Sequence, residues 1–453
     1  MKHRTSGWRP DRREFVKAAG LAALSTGTLA PALAALPSDR ALSLAESRRD
    51  ELLDLLQRMI RIRSLSGESA EEAQAVVKDY LRALPYRIEE TADRPSRYVD
   101  HAEYMPPNPP SDGPFINVVG LPADGSQAHA MFSHIDTHLL VDGWETDPFT
   151  PVIRDGRIYG LGTGDAKGGV SAMLVAAAAL AEAGEPLPVV MSLHGKGGGS
   201  RGSLPTFERL KQSGSPLKAV LYVHPAETGR GLDDVKNEVQ GVVDLALEVK
   251  GWRAPPMEIG SVDSSSWEEG GNAADVMMQS LRRLRDITYA DTKLNVGILD
   301  GGDRAGSVAA DARVVFRLKF GGDHSWRSLL EAGRQELRRI QASLPAADSG
   351  ETFELSLEPV GYRTNPGVAD WEAQESVVLR DAIEGVTGRA PDAYPNHYAG
   401  DIRYPIRLLG VPAYGIGSLG GGFYGPNEWI DIDDLVRLTA VCIQTLSGWS
   451  ATA

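Results

Sequence analysis

A chain of 453 residues with a formal net charge of −14 is long enough for more than one hydrophobic core and too acidic to favour nucleic acid or an anionic membrane surface as a partner. Charged residues make up 24% and hydrophobic ones 42%, which excludes a disordered chain. The single cysteine, Cys442, excludes an internal disulfide and reads as a small core residue in an apolar helical pattern.

The chain opens with Asp11-Arg12-Arg13-Glu14-Phe15-Val16-Lys17, an Ala/Leu/Gly run and Ala32-Leu33-Ala34. That order predicts a twin-arginine signal peptide over residues 1–35, and a periplasmic or secreted protein. No later run reads as long and apolar enough to span a membrane. Leu42 to Leu84 has helical periodicity, and Arg94 to Pro114, rich in Pro and Tyr, reads as a loop. Strand-like runs follow at Ile116–Gly120, Ala130–Ser133, Val189–Leu193 and Ala219–Val223, alternating with helical segments such as Gly169–Ala183 and Leu204–Ser213. The alternation predicts an α/β fold with a mostly parallel sheet covered by helices on both faces. From 237 the pattern changes to a strand at Val243–Val249, a helix at Ala273–Arg285, strands at Lys293–Leu299 and Ala312–Phe320 and a helix at Trp326–Leu344, and an order of strand, helix, strand, strand, helix, strand suggests an inserted ferredoxin-like α+β module. A helix near Gln374–Gly385, a strand at Pro412–Gly417 and a helix from Asp433 return to α/β character. The expected division is 36–236 and 361–453 for the larger domain and 237–360 for the insert.

The most informative stretch runs from Ser133-His134-Ile135-Asp136, through Gly143-Trp144-Glu145-Thr146-Asp147-Pro148-Phe149 and Asp155-Gly156-Arg157-Ile158-Tyr159-Gly160, to Asp165-Ala166-Lys167-Gly168-Gly169. With Gly271-Asn272-Ala273-Ala274, Leu294 to Gly302, Gly400-Asp401-Ile402-Arg403 and Gly425-Pro426-Asn427-Glu428, it resembles the M20 family of metallopeptidases and amidohydrolases over nearly all of the chain after residue 35. The resemblance implies a hydrolase of small carboxylate-bearing amides or peptide-like compounds. It also implies two divalent metals bridged by one carboxylate, a Glu base, and an inserted lid that mediates a possible homodimer.

Carried over residue by residue, His134 matches the first His ligand, Asp136 the supporting Asp and Asp165 the bridging carboxylate. The pattern is broken at three places, four residues in all. The family's Glu-Glu pair falls on Lys196-Gly197 in His194-Gly195-Lys196-Gly197-Gly198-Gly199-Ser200, so the base becomes a lysine and a ligand becomes a glycine. A mid-chain acid is replaced by His224, and the last His by Tyr424. The expected site therefore holds at most one metal through His134, Asp165 and His224: zinc first, iron or manganese as alternatives, or none. Asp136, Lys196 and Tyr424 are the catalytic candidates, with Lys196 standing in for metal charge. Arg403 and His397 are the candidates for binding the substrate carboxylate. The lid's usual His has no counterpart near Arg253-Ala254-Pro255-Pro256. Gly198–Gly202 also fits G-x-S-x-G, but the resemblance already accounts for it. A non-catalytic binding protein, or a metal-independent enzyme using Lys196 and Tyr424, stays open beside the altered hydrolase.

Overall fold

Three runs buried at every residue, His129–His134, Val189–Leu193 and Ala219–Val223, form the centre of the molecule. Continuous apolar runs of this kind suit parallel strands covered on both faces. The computed structural model describes residues 34–253, 270–302, 308–322, 324–348, 350–395, 397–398 and 400–452. Residues 1–33 of the expected signal peptide and residues 254–256, beside the expected lid position, lie outside them.

The main sheet has six strands in the order Tyr86–Asp93, Phe115–Pro122, Val189–Leu193, His129–His134, Ala219–Val223, Ala413–Ile416. The last four run parallel and the first two are antiparallel additions at one edge. Helices Ser38–Ser47, Arg49–Ile60, Gly168–Ala183, Gln374–Thr387 and Ile432–Thr452 share one core against this sheet. Helix Ser203–Gln212 packs in a second core with Phe132, Met191 and Tyr222. The expected helices on both faces are present.

One expectation needs correcting. The stretch Thr163–Ala183 is long and apolar enough to cross a membrane by length and composition. It is instead the central core helix, with Gly168 through Leu180 all buried. Its Ala-rich face lets it lie close on the sheet, where a Cβ at Gly169 would meet the Val223 carbonyl oxygen at 2.0 Å.

Four strands of the second sheet pair antiparallel in the order Lys293–Gly301, Asp311–Phe320, Glu238–Lys250, Glu354–Thr364, and the short strands Gly367–Val368 and His397–Tyr398 also pair with Glu238–Lys250, the last of them parallel. Helices Ala273–Arg283 and Trp326–Gln341 cover one face around Val243, Leu247, Phe316 and Leu337. Asn272 caps the first of these helices and Ser325 the second, each accepting backbone N–H groups that the first turn leaves unpaired. With two helices on one face of a four-stranded antiparallel sheet, this is the ferredoxin-like arrangement. A small sheet of Gly420–Gly421, Trp429–Asp431, Arg157–Tyr159 and Val152–Arg154 was not anticipated; it ties the loop before Asp165 to the C-terminal part of the chain.

Candidate functional site

The site grows from the carboxyl ends of three neighbouring parallel strands, the usual location for ligands in such sheets. His134 ends the central strand, Gly195 and Lys196 follow the strand on one side, and His224 follows the strand on the other. Asp165 enters from the turn that leads into helix Gly168–Ala183. That turn is clamped by Glu428, whose buried carboxylate accepts the backbone N–H groups of Gly162, Gly164 and Asp165 at 2.8, 2.8 and 2.9 Å. Burial and the neighbouring Asp165 push the Glu428 carboxyl up to about 7.

Asp165 is the hub. Its Oδ1 lies 2.9 Å from His134 Nε2 and 3.1 Å from His224 Nε2. Its Oδ2 is paired with the Lys196 ammonium. Burial would raise the Asp165 pKa, but the lysine and the two imidazoles hold it well below the usual carboxylate range. Burial likewise opposes charge on Lys196, and Asp165 with Glu227 more than offsets it. The His134 pKa is raised because Asp165 and Asp136 outweigh burial. His224 is pushed down to about 3 by burial and by Lys236, a buried lysine whose Nζ sits 2.7 Å from His224 Nδ1.

Asp136 works on the backbone. Its Oδ1 accepts the N–H of Gly195 at 3.0 Å and of Lys196 at 3.2 Å. Its carbonyl accepts the Nδ1–H of His134 at 2.8 Å, which leaves Nε2 as the nitrogen facing Asp165. Tyr424 stands over Lys196, its ring centroid 4.0 Å from the ammonium, and its hydroxyl donates to Glu227 Oε1 at 2.5 Å. His397 lies 3.8 Å from the other oxygen of Glu227. His134, His138, Lys196, His224, Glu227 and Tyr424 all line one cavity of about 440 Å³, closed partly by Tyr362 of the second sheet. A larger pocket of about 900 Å³ lies elsewhere, and its arginines pair with acids, such as Arg49 with Asp433 and Arg230 with Asp392.

Arg403 does not stand where a substrate carboxylate would meet it. It is fully buried behind the cavity wall, donating to the carbonyls of Gly400 and Gly198 at 3.2 and 2.9 Å, so it shapes the glycine loop. His397 does line the cavity. Glu227 and Lys236 were missed by sequence reasoning. Neither belongs to a spaced motif, and the only signal was Glu227 lying three residues beyond His224.

Among the described residues, His134, Asp165 and His224 offer ligand atoms within 4.8 Å of one another. Two imidazole nitrogens and a carboxylate oxygen converging this closely fit one divalent ion. They do not fit a second. Gly197 has no donor, and a Cβ there would meet the Asn108 carbonyl oxygen at 2.3 Å on a backbone with φ of +76°. The Tyr424 hydroxyl is engaged by Glu227, and Lys196 holds the remaining oxygen of Asp165.

Comparison with known proteins gives the family and the fold. The model of "Peptidase family M20/M25/M40" matches residues 130–447. A succinyl-diaminopimelate desuccinylase of Rhizorhabdus wittichii is 25% identical over 373 residues, covering 80% of this chain and 89% of that one. The Zymomonas mobilis desuccinylase is 23% identical over 403 residues, covering 86% and 96%. Among solved structures, aminopeptidase PepT from Bacillus cereus superposes with a TM-score of 0.66 at 16% identity, covering 89% of this chain and 99% of that one. The YXEP protein of Bacillus subtilis, described as a dinuclear metal binding peptidase, gives 0.60 at 11% identity, covering 89% and 98%.

Proposed function

Since the chain belongs to peptidase family M20/M25/M40, we propose that it is a hydrolase of small amide or peptide-like substrates that works with one divalent metal ion in place of two. The observation that carries this reading is the convergence of His134, Asp165 and His224, with the Lys196 ammonium on the other oxygen of Asp165. The desuccinylase relatives support an N-acyl bond as the one cleaved. The twin-arginine pattern supports action outside the cytoplasm. Association through the second sheet remains an expectation of the resemblance.

Bound at these three residues, a divalent ion would polarise the scissile carbonyl and acidify water. The protein's own groups do the rest. Lys196 keeps a positive charge beside Asp165 and is placed to stabilise negative charge that develops on a substrate oxygen in the cavity. Asp136 and the three glycines Gly197, Gly198 and Gly199, with φ of 76°, 108° and 75°, fix the loop that presents that ammonium. The Tyr424 ring stands over the ammonium, its centroid 4.0 Å away. With Arg403 behind the wall, His138 and His397 are the cavity groups left to meet a substrate carboxylate.

The Lys196–Asp165 pair favours a second reading, a metal-free binding protein in which the ammonium alone satisfies the buried carboxylate. Elemental analysis of wild type and of His224→Ala separates the two. About one equivalent of zinc, iron or manganese, lost in the variant, is the expected result; no metal in either protein removes the hydrolase reading.

A further inference from the structure

Arg201 is a buried guanidinium, 1% exposed, and among the described residues no carboxylate accepts from it. Its donors go to neutral oxygens. Nε donates to the Ser111 hydroxyl at 2.9 Å, Nη1 to the Ser66 hydroxyl at 2.9 Å and to the Lys196 carbonyl at 2.8 Å, and Nη2 to the Pro109 carbonyl. Holding a cation in the interior without a counter-ion is costly, and burial lowers the Arg201 pKa. The place where that cost is met is specific. Ser66, Pro109 and Lys196, three of the four residues that Arg201 joins, line the cavity.

The bond to the Lys196 carbonyl fixes a direction. The peptide between Lys196 and Gly197 is trans, and in a planar trans unit the C=O and the N–H point opposite ways. With the carbonyl turned to Arg201, the Gly197 N–H points away from it. Among the described residues that N–H has no acceptor. Nearby amides in the loop are taken: those of Gly195 and Lys196 by Asp136 Oδ1, and that of Gly199 by the Gly195 carbonyl at 2.9 Å. The Gly198 carbonyl is gripped in the same manner, by Arg403 Nη2 and the Tyr404 hydroxyl at 2.9 and 2.6 Å. Two buried guanidiniums thus hold loop carbonyls from behind, while Lys196 and Gly197 line the cavity in front.

We propose that the Gly197 N–H joins the Lys196 ammonium as a donor to the substrate oxygen that becomes negative in hydrolysis, and that Arg201 is the positioning residue that aims it. The inference rests on the hydrolase reading above. A donor fixed before the reaction needs no rearrangement as charge develops, which is what makes such groups effective. Arg201 also donates to the carbonyl of the same peptide, and linked hydrogen bonds polarise one another, so the N–H becomes a better donor. Glycine at 197 then has a use of its own: it keeps this amide accessible beside the ammonium at a position where a Cβ would strike the Asn108 carbonyl.

The experiment is NMR of the full chain with carbon-13 at lysine carbonyls and nitrogen-15 at glycine. Only glycines that follow a lysine then give filtered amide signals, and these are Gly168, Gly197 and Gly251. The signal lost in Lys196→Met is that of Gly197. The probes are dimethylphosphinate, a tetrahedral monoanion, and acetate, a planar one, each titrated into the metal-free and the zinc-treated protein. Dimethylphosphinate is expected to move the Gly197 amide proton downfield to saturation while Gly168 and Gly251 stay in place, and acetate to bind at least about tenfold more weakly. Arg201→Met should weaken dimethylphosphinate binding at least about fivefold, and Arg201→Lys should recover part of that loss. Thermal unfolding checks that both variants are folded, and the lysine variant stands in if the methionine one is not. A Gly197 signal that stays in place at the highest phosphinate concentration overturns the proposal, as does acetate binding as tightly as the phosphinate. Unchanged phosphinate affinity in a folded Arg201→Met removes Arg201 from the role. The zinc arm keeps the two readings apart: a moving signal in a protein that takes up no zinc leaves the donor in place and removes the one-metal reading, and a stationary signal with zinc bound does the reverse.

Discussion

The two oxygens of Asp165 face opposite kinds of chemistry. Oδ1 looks toward two imidazoles carried on adjacent parallel strands, a set of donors that an ion can join. Oδ2 looks toward Lys196, a covalently attached cation that needs no loading. The same carboxylate thus has an exchangeable partner on one side and a permanent one on the other. Against the pattern that the sequence resembles, the permanent side is expected to depart at Lys196, Gly197 and Tyr424, and the exchangeable side only at His224, which keeps a donor. Asp165 is buried, so a charge lost from one side has no water to replace it. Neutralisation by lysine keeps the fold satisfied when the metal is absent.

Breaking the hub should have the largest effect. Asp165→Asn leaves the Lys196 ammonium buried without its partner, which costs about 3–5 kcal/mol. It also removes the shared ligand, so metal should be lost together with stability, read by denaturant unfolding and elemental analysis. His224→Ala should lose metal with a smaller change in the metal-free stability. If both variants lose the same stability, the two sides of Asp165 are not distinct.

Lys196→Met tests the permanent side. At an effective dielectric near 20, the repulsion between a neighbouring unit charge and a divalent ion is worth several kcal/mol. Removing the ammonium should therefore tighten zinc binding at least about tenfold while lowering the stability of the metal-free protein. Chelator competition checks the first effect and unfolding the second. Gly197→Glu, by contrast, should not rebuild a two-metal site, because its Cβ would collide with the Asn108 carbonyl.

The support beneath the hub gives a smaller effect. Glu428→Gln offers one acceptor oxygen in place of two to three backbone N–H groups, so at least one buried donor goes unpaired. A loss of about 1–3 kcal/mol is expected, with a modest weakening of metal binding as the Asp165 turn loosens. Unfolding curves with and without zinc measure both.

The exchangeable side was the more legible in the sequence. His134, Asp165 and His224 fall at or just after strand ends or at the start of a helix, and the family resemblance of the surrounding motifs located them. Long elements were legible for the same reason: Val189–Leu193 and Ala219–Val223 fall at the expected residues. The strand Tyr86–Asp93 was missed, with half-exposed and charged residues that give no clean alternation. Glu227 escaped because its place depends on a contact with Tyr424 far along the chain. Arg403 had the right motif but its side chain turns into the protein, a direction that spacing does not encode.

The smallest expected effect separates the site from its scaffold. Acid should strip metal by protonating the His ligands, and it should also weaken the fold through His129, at the far end of the same strand. Burial and Lys218 push the His129 pKa from 6.5 down to about 4. A lowered folded-state value means that the unfolded chain binds the proton first. The stability it contributes is therefore present above about pH 6.5 and is lost as the pH falls through 4, by an amount on the order of 1–3 kcal/mol. His129→Gln should flatten that part of the stability–pH curve and leave the pH of zinc release unchanged. A zinc-release curve that moved with His129→Gln would mean that loss of metal in acid follows unfolding of the scaffold and not protonation at the exchangeable side of Asp165.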